Sequence, residues 1–430
     1  MKKIISVLIQ VMLALSLSGC QSKPVTAFST EYGQAEHCLI IVLDGFSGRN
    51  LAKLGSHSNL AKLSEQGAAC FTLRSTYPTQ TCTNHAAIMT GVSAEKHGII
   101  GNDRLGEEGK SEKNIQPEMI QVPTLFEIAS LQKKKTAFVS GKDDLITLFS
   151  RGLDVPVSYK RPLPYLTIAP VLENSEDNKE YYSYNMALAD WVFDSLFAVL
   201  EKEEPDLTLV NIQSTDYIGH RFGPDSKEME KCLKEADRKI GELAEKMKTS
   251  GMLETTAVFI TADHGMTETG KAIPLHRIMK EEFPDAGAVV DGRNGYLWIG
   301  GEDKDAMTAY FQNLEGVRDI FENGSEKARA LSVDYEGGPD LFLESEPGYV
   351  FLPEPMISLY HGQHGSRDDS DAIVPLISFG AGIPSGAGME QGDLRCIAPM
   401  VCTLMDLPMG EFDVQMPALL ETQERTVFRK

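Results

Sequence analysis

The chain of 430 residues is long enough to bury a large core, as one big α/β domain or as a core with a smaller lobe. Its 42 % hydrophobic and 24 % charged residues are an ordinary globular composition, and its 37 Gly and 21 Pro follow no period, which excludes collagen-like and simple low-complexity chains. A formal charge of −21 repels polyanions and argues against polymeric nucleic acid as a partner, whereas a small phosphorylated molecule stays admissible where bound cations reverse the local field.

The chain starts with the basic pair Lys2-Lys3 and an apolar run, Ile4 to Leu17, broken by Ser6, Gln10 and Ser16. The run is short and ends in small residues, which fits an export signal better than a membrane span. Leu17-Ser18-Gly19-Cys20 resembles the bacterial lipoprotein signal. That resemblance implies removal of residues 1–19 and a lipid on Cys20. With Gln21 following, it also implies a place at the cell envelope, on the outer membrane facing the periplasm. The lipid is then the sole membrane contact. A plain secretory peptide with an incidental Cys is the alternative. Residues 20–35 are polar and mixed and suit a tether.

The other six cysteines, Cys38, Cys70, Cys82, Cys232, Cys396 and Cys402, lack CxxC spacing, so neither a zinc knuckle nor a redox pair is indicated. Cys396 and Cys402 are the nearest candidates for a disulfide. Cys82 has no obvious paired base and reads as structural.

His37 to Leu43 is an unbroken apolar run, the mark of a central parallel strand buried on both faces. Similar runs recur at 136–140, 207–210, 257–261 and 376–379. Helical patterns lie between them at 59–66, 184–202 and 227–247, the last amphipathic through Leu233, Ala236, Ile240, Leu243 and Met247. Strands alternating with helices predict a layered α/β fold. Two stretches break the rhythm. Residues 145–180 are Pro-rich and read as loop. Residues 268–355 hold short strand-like pieces such as 295–298 and 340–343, and read as a cap inserted into a core formed by 36–267 and 356–430.

The acids and histidines fall where ligands bind in an open α/β sheet, at the carboxyl ends of strands. Asp44 follows the first strand, Asp216 follows LTLVN by a few residues, and Asp263-His264 follow AVFITA. One Asp-Gly turn would mean little; three acid-bearing strand ends, two of them also supplying His, are harder to dismiss. Asp216 and His220 are four apart, so one helical turn faces both toward one ion, although a polar loop capping a helix would read the same way. His361-Gly362-Gln363-His364-Gly365 sets two histidines in a Gly-rich turn, and either could bind metal. Carboxylate and imidazole without sulfur suit zinc or a similar divalent ion. Thr81 lies in Tyr77 to His85, which the helical AAIMTG pattern follows, so it could stand at a helix N-terminus. Such a Thr is often only a cap, but a metal ion can lower a hydroxyl's pKa enough to make it a nucleophile. The helix end adds backbone donors for an anion.

These pieces together, LDG at 43–45, YPTQTCTNHAAIMTG at 77–91, HGIIGN at 97–102, STDYIGHRFGPDS at 214–226, ADHGM at 262–266 and HGQHG at 361–365, resemble the type I phosphodiesterase and nucleotide pyrophosphatase family of the alkaline phosphatase superfamily. The resemblance implies a three-layer sandwich around a mostly parallel sheet, with a small inserted α+β cap between DHGM and HGQHG. It implies two divalent ions, zinc in the family. Asp44, Thr81, Asp263 and His264 would share one, and Asp216, His220 and His364 would hold the other. Thr81 would be the nucleophile and form a phosphothreonine. Asn102 would donate a hydrogen bond to a phosphoryl oxygen. The substrate would be a small phosphodiester or pyrophosphate, nucleotides among the candidates.

The chain departs from the family's typical PTKTFPNH. Gln80 replaces Lys, Cys82 replaces Phe and Thr83 replaces Pro. Cys82 removes an aromatic surface beside the leaving-group pocket, which weakens a nucleotide assignment and leaves the metal chemistry untouched. The last motif reads HGS where many relatives have HGYD. Ser140-Gly141-Lys142-Asp143 resembles the lysine-bearing loop of phosphonoacetate hydrolases, so phosphonate hydrolysis is the first alternative and a phosphomonoesterase the next. Taken alone, Lys142 reads first as exposed surface. A non-catalytic envelope binding lipoprotein would lack ligands, and none is missing.

Overall fold

β1 (His37–Leu43) is buried at every position but the first, as its apolar run requires. It lies inside a sheet with β2 (Ala68–Arg74), β3 (Thr136–Ser140), β4 (Val155–Val157), β5 (Leu207–Ile212), β6 (Thr256–Thr261) and β7 (Ile373–Gly380), in the order β2-β7-β6-β1-β5-β3-β4. From β6 to β4 all neighbours are parallel, and β7 runs antiparallel to both β6 and β2. Short strands at 387–388 and 392–393 pair with β2 and widen that edge. The computed structural model describes residues 26–27, 33–107, 109–170, 177–354, 361–414 and 418–421. The export signal, Cys20 and most of the proposed tether lie outside the described residues.

The helices used below are α1 (Gly48–Leu54), α2 (Asn59–Gln66), α3 (Thr81–Thr90), α4 (Asp143–Leu148), α5 (Asn178–Glu203), α6 (Ser214–Phe222), α7 (Lys227–Thr249) and α8 (Ile397–Leu404). They gather in two groups with the sheet between: α7 packs on α1, α2, α5 and α6, while α3 packs on α8 and on the helix Leu125–Leu131. One hydrophobic core runs through the three layers. The fold is therefore the expected three-layer α/β sandwich with a largely parallel sheet.

The boundaries follow local chemistry. α5 starts at Asn178, six residues before the periodic pattern does, because the Asp177 carboxylate accepts from the amides of Lys179 and Glu180. Ser226 caps α7 in the same way, through Met229 N. The stretch 145–180, read as loop, contains most of α4 and all of β4. Both are too short for periodicity to reveal. Cys396 and Cys402 are buried free thiols. Six residues along nearly continuous helix separate them by about 9 Å, beyond the reach of a disulfide.

The chain between β6 and β7 builds further sheets. Strands Gly287–Asp291, Asn294–Trp298, Leu341–Ser345 and Val317–Glu322 form an antiparallel sheet in that order, backed by the helix Lys304–Gln312. Met307, Phe311, Leu297, Leu341 and Leu343 fill a separate hydrophobic cluster beneath it. Strand Thr267–Pro274 pairs with Gly348–Leu352 and Gly362–Gln363, so the segment leaves and returns through one small sheet.

Register positions the site. Leu43 lies opposite Ile212, Val42 opposite Thr261, and Ser140 opposite Asn211. Four parallel strands thus end at one level, and Asp44, Lys142, Asp216 and Asp263 leave from the same edge.

Candidate active site

The three acids at the strand ends are buried: Asp44 and Asp263 are 0 % exposed and Asp216 is 2 % exposed. Asn211 Nδ2 donates to Asp44 Oδ2 at 2.7 Å. Asp263 Oδ1 accepts from Gly45 N at 3.2 Å and from His264 N at 2.9 Å. Gly45 has φ +73°, and a Cβ there would lie 3.0 Å from the Asp216 Cα, so glycine lets α6 approach the end of β1. Asp216 is the third residue of α6, and His220 follows one turn later.

Each of three imidazoles turns its Nδ1 to a backbone carbonyl: His220 to Gly362 O at 2.8 Å, His264 to Gly265 O at 2.8 Å, and His364 to Thr79 O at 2.9 Å. Those contacts select the Nδ1–H tautomer and leave every Nε2 lone pair facing the acids. His220 Nε2 lies 3.0 Å and His364 Nε2 3.7 Å from Asp216 Oδ1. His264 Nε2 lies 3.5 Å from Asp44 Oδ1, 3.6 Å from Asp263 Oδ2 and 3.2 Å from the Thr81 hydroxyl. The His264 and His364 rings stack at 3.6 Å. His361, the other candidate in its turn, is exposed and contributes its backbone N–H to His220 O at 2.7 Å.

These groups fit divalent ions. Asp44 Oδ1, Asp216 Oδ1 and Asp263 Oδ2 are buried and make no well-directed hydrogen bond, an expensive condition for a carboxylate unless a cation meets it. Donor atoms of Asp216, His220 and His364 lie within 4.8 Å of one another, as do those of Asp44, Asp216 and His264. Such N/O sets suit zinc-type ions. The electrostatics agree. Burial, with Asp263 nearby, lifts Asp44 to about 6. Burial would raise Asp216 too, but His220 and Lys142 hold it well below the usual carboxylate range. Burial and His264 keep His364 neutral.

Thr81 opens α3, but its hydroxyl caps nothing: the N-cap position is Gln80, without a side-chain cap bond. The hydroxyl instead faces His264. Asn102 stands beside it, its Oδ1 accepting from Cys82 N at 2.9 Å. All seven proposed ligands and Asn102 therefore converge on one edge of the sheet. A cavity of about 480 Å³ opens there, lined by Thr81, Cys82, Asn102, Lys142, Tyr159 and Tyr217.

Four further residues belong to this edge. Lys142, readable as exposed surface, has a largely buried side chain. Its Nζ lies 2.9 Å from Asp44 Oδ2 and 2.7 Å from Asp216 Oδ2, over the Tyr217 ring. His85 Nδ1 lies 2.9 Å from Thr81 O and 3.4 Å from Asp263 Oδ2, and its signal was its place one helical turn after Thr81. Asn211 is, with Thr208, a polar residue in an otherwise apolar strand. Asp291 comes from the chain between β6 and β7, and nothing local marks it.

The sequence matches the family model described as type I phosphodiesterase / nucleotide pyrophosphatase over residues 38–367. It is 27 % identical over 238 residues to bis(5'-adenosyl)-triphosphatase ENPP4 of Bos taurus, covering 54 % of this chain and 48 % of that one. The chain spans between about a quarter and a half of the length of the curated relatives it matches. Among solved structures, murine ectonucleotide pyrophosphatase / phosphodiesterase 5 superposes with a TM-score of 0.70 at 16 % identity, covering 87 % of this chain and 96 % of that one. Phosphonoacetate hydrolase from Sinorhizobium meliloti 1021 superposes with a TM-score of 0.64 at 22 % identity, covering 84 % and 94 %. These likenesses show a shared fold. The extent of the family match places the chain itself: it belongs to the type I phosphodiesterase / nucleotide pyrophosphatase family.

Proposed function

We propose that the protein is a metal-dependent hydrolase that cleaves a phosphodiester or pyrophosphate bond of a small molecule through a phosphothreonine on Thr81. The observation that carries this reading is the set of three buried carboxylate oxygens without a directed partner, facing three imidazole Nε2 atoms, with the Thr81 hydroxyl 3.2 Å from one of them, that of His264. Asp44, Thr81, Asp263 and His264 would hold one divalent ion and Asp216, His220 and His364 the other, with zinc favoured by the donor set. Such ions, when bound, supply Lewis acidity to the attacking and leaving oxygens. The chain does the rest. Thr81 Oγ loses its proton to solvent and attacks phosphorus, and the bond to the leaving oxygen breaks, that oxygen departing with the electron pair. Water then cleaves the Thr81 ester and restores the hydroxyl. Asn102 Nδ2 meets the charge on a non-bridging oxygen. His85 and Asn211 orient Thr81, Asp263 and Asp44 from behind.

The segment 268–355 is proposed as a cap over this edge, and the envelope lipoprotein reading of Cys20 stays part of the proposal. The murine relative of the same fold was solved in complex with AMP, which keeps nucleotides among the candidate substrates. A second reading, phosphonate hydrolysis, is favoured by Lys142, which reaches the cavity beside Thr81 and could meet a second anionic group. Lys113 and Lys160 line the same cavity but lie beside Asp144 and Asp143, which line it too.

The test offers the metal-loaded protein a bis-aryl phosphodiester, an aryl monoester and phosphonoacetate. A clear preference for the diester is expected, and a clear preference for either of the others would overturn the assignment. Thr81→Ala is expected to reduce turnover by at least about 10³-fold while metal analysis finds the same ion content. Full activity in that variant would refute the nucleophile.

A further inference from the structure

Among the described residues, the inserted segment gives the active-site cavity one side chain, Asp291, at the end of strand Gly287–Asp291. It grips Asn102 twice. Asn102 N donates to Asp291 Oδ2 at 2.8 Å and Asn102 Nδ2 to Asp291 Oδ1 at 3.3 Å. The other amide hydrogen points to Gln80 Oε1 at 3.1 Å, and Gln80 Nε2 donates back to Asp291 O at 2.7 Å and to Asn294 Oδ1 at 3.2 Å. This closed ring joins the insert to the residue preceding Thr81. Gly101 makes room for it, since a Cβ there would lie 2.5 Å from Asp291 Oδ2. Of the two Asn102 amide bonds, the one to Asp291 is longer, so it is the one a phosphoryl oxygen would replace.

We infer that Asp291 is a positioning residue: by accepting from both the backbone and the side-chain amide it holds Asn102 beside Thr81, and the Nδ2–H that it accepts is the one handed over to a phosphoryl oxygen. This rests on the role proposed above for Asn102. The charge state fits the task. A carboxylate next to a phosphoryl oxygen would repel it. Burial and the neighbouring Asp103 push the Asp291 carboxyl up to about 8, so at neutral pH it is mainly the uncharged acid. The charged or titratable groups facing it are Asp103, Cys82 and Tyr296, with Lys113 and Lys142 on the same cavity wall.

The experiment uses the metal-loaded full chain with Asp291→Ala and Asp291→Asn, each alone and with Asn102→Ala, and a bis-aryl phosphodiester. Asp291→Ala is expected to lower kcat about 10- to 100-fold with a smaller change in KM, as for other residues that orient active-site groups. Asp291→Asn, which keeps an uncharged acceptor, should recover most of that loss. In the Asn102→Ala background the Asp291→Ala change should cost less than about twofold, because the two residues act as a unit. A second readout needs no turnover. With selectively labelled asparagine, the Asn102 side-chain amide signal, identified by its loss in Asn102→Ala, should shift with a midpoint near pH 8 and stay fixed in Asp291→Asn. An equal loss from Asp291→Ala with and without Asn102, or an Asn102 amide signal indifferent to pH in the native chain, overturns the inference. If no phosphate ester is turned over, the proposed function fails, and the amide titration still decides the role of Asp291.

Discussion

Lys142→Met probes the balance of charge at the strand ends. The Lys142 ammonium is held between Asp216 Oδ2 at 2.7 Å and Asp44 Oδ2 at 2.9 Å, and the side chain is only 15 % exposed. At an effective dielectric of about 20, each contact is worth about 6 kcal/mol of raw attraction. Desolvation of the ammonium and of both carboxylates takes back most of that. Breaking such a buried pair from one side costs about 3–5 kcal/mol. Asp44 limits the loss. Its carboxyl already sits near 6, so without the lysine it takes up a proton rather than stay buried and charged. Urea unfolding at neutral pH with a chelator present is expected to show Lys142→Met about 3 kcal/mol less stable than the native chain. With excess zinc the same comparison should leave a gap below about 1 kcal/mol, because bound cations meet the carboxylates that the lysine met and add their own binding energy to the folded state. A variant as stable as the native chain in chelator would refute this reasoning. So would a deficit of equal size in zinc, which would locate the role of Lys142 in packing.

Two more perturbations test the architecture around the site. His97 is fully buried, and burial pushes its imidazole down to about 3. Its folded pKa lies below its unfolded value near 6.5, so unfolding takes up a proton between those limits. Its contribution is complete above about pH 6.5 and is lost at about 1.4 kcal/mol per pH unit as pH falls toward 3. The stability gap between native and His97→Gln proteins should therefore narrow between pH 6.5 and 4.5, and parallel profiles would contradict the assignment. Arg293, also fully buried, donates to Ser366 Oγ at 2.6 Å, Asp371 Oδ2 at 3.0 Å and Ser345 O at 3.0 Å, and lies 2.8 Å from Asp368 Oδ2. Arg293→Met keeps the volume and removes the charge. It is expected to cost about 3–5 kcal/mol in urea unfolding, and a change under about 1 kcal/mol would show that Asp371 is stabilised by other partners.

The sequence by itself determined the layered fold and much of the site. Apolar runs such as 37–43 can be buried on both faces only inside a parallel sheet, and acids directly after such runs must emerge at its carboxyl edge. Asp44, Asp216, His220, Asp263 and His264 were legible because each signal is local: a strand end or one helical turn. Tertiary structure decided what local signals could not. It turned His364, rather than the exposed His361, toward the acids, and the packing of Thr79 against that turn gives His364 its backbone anchor. It moved Lys142 from an apparent surface position to the space between two acids, because the register Ser140–Asn211 brings the β3 loop to the ends of β1 and β5. It also placed Asp291 against Asn102 across 189 residues of chain. Periodicity reports which face of an element is buried. Partners so distant in sequence are set only when the sheets close around them.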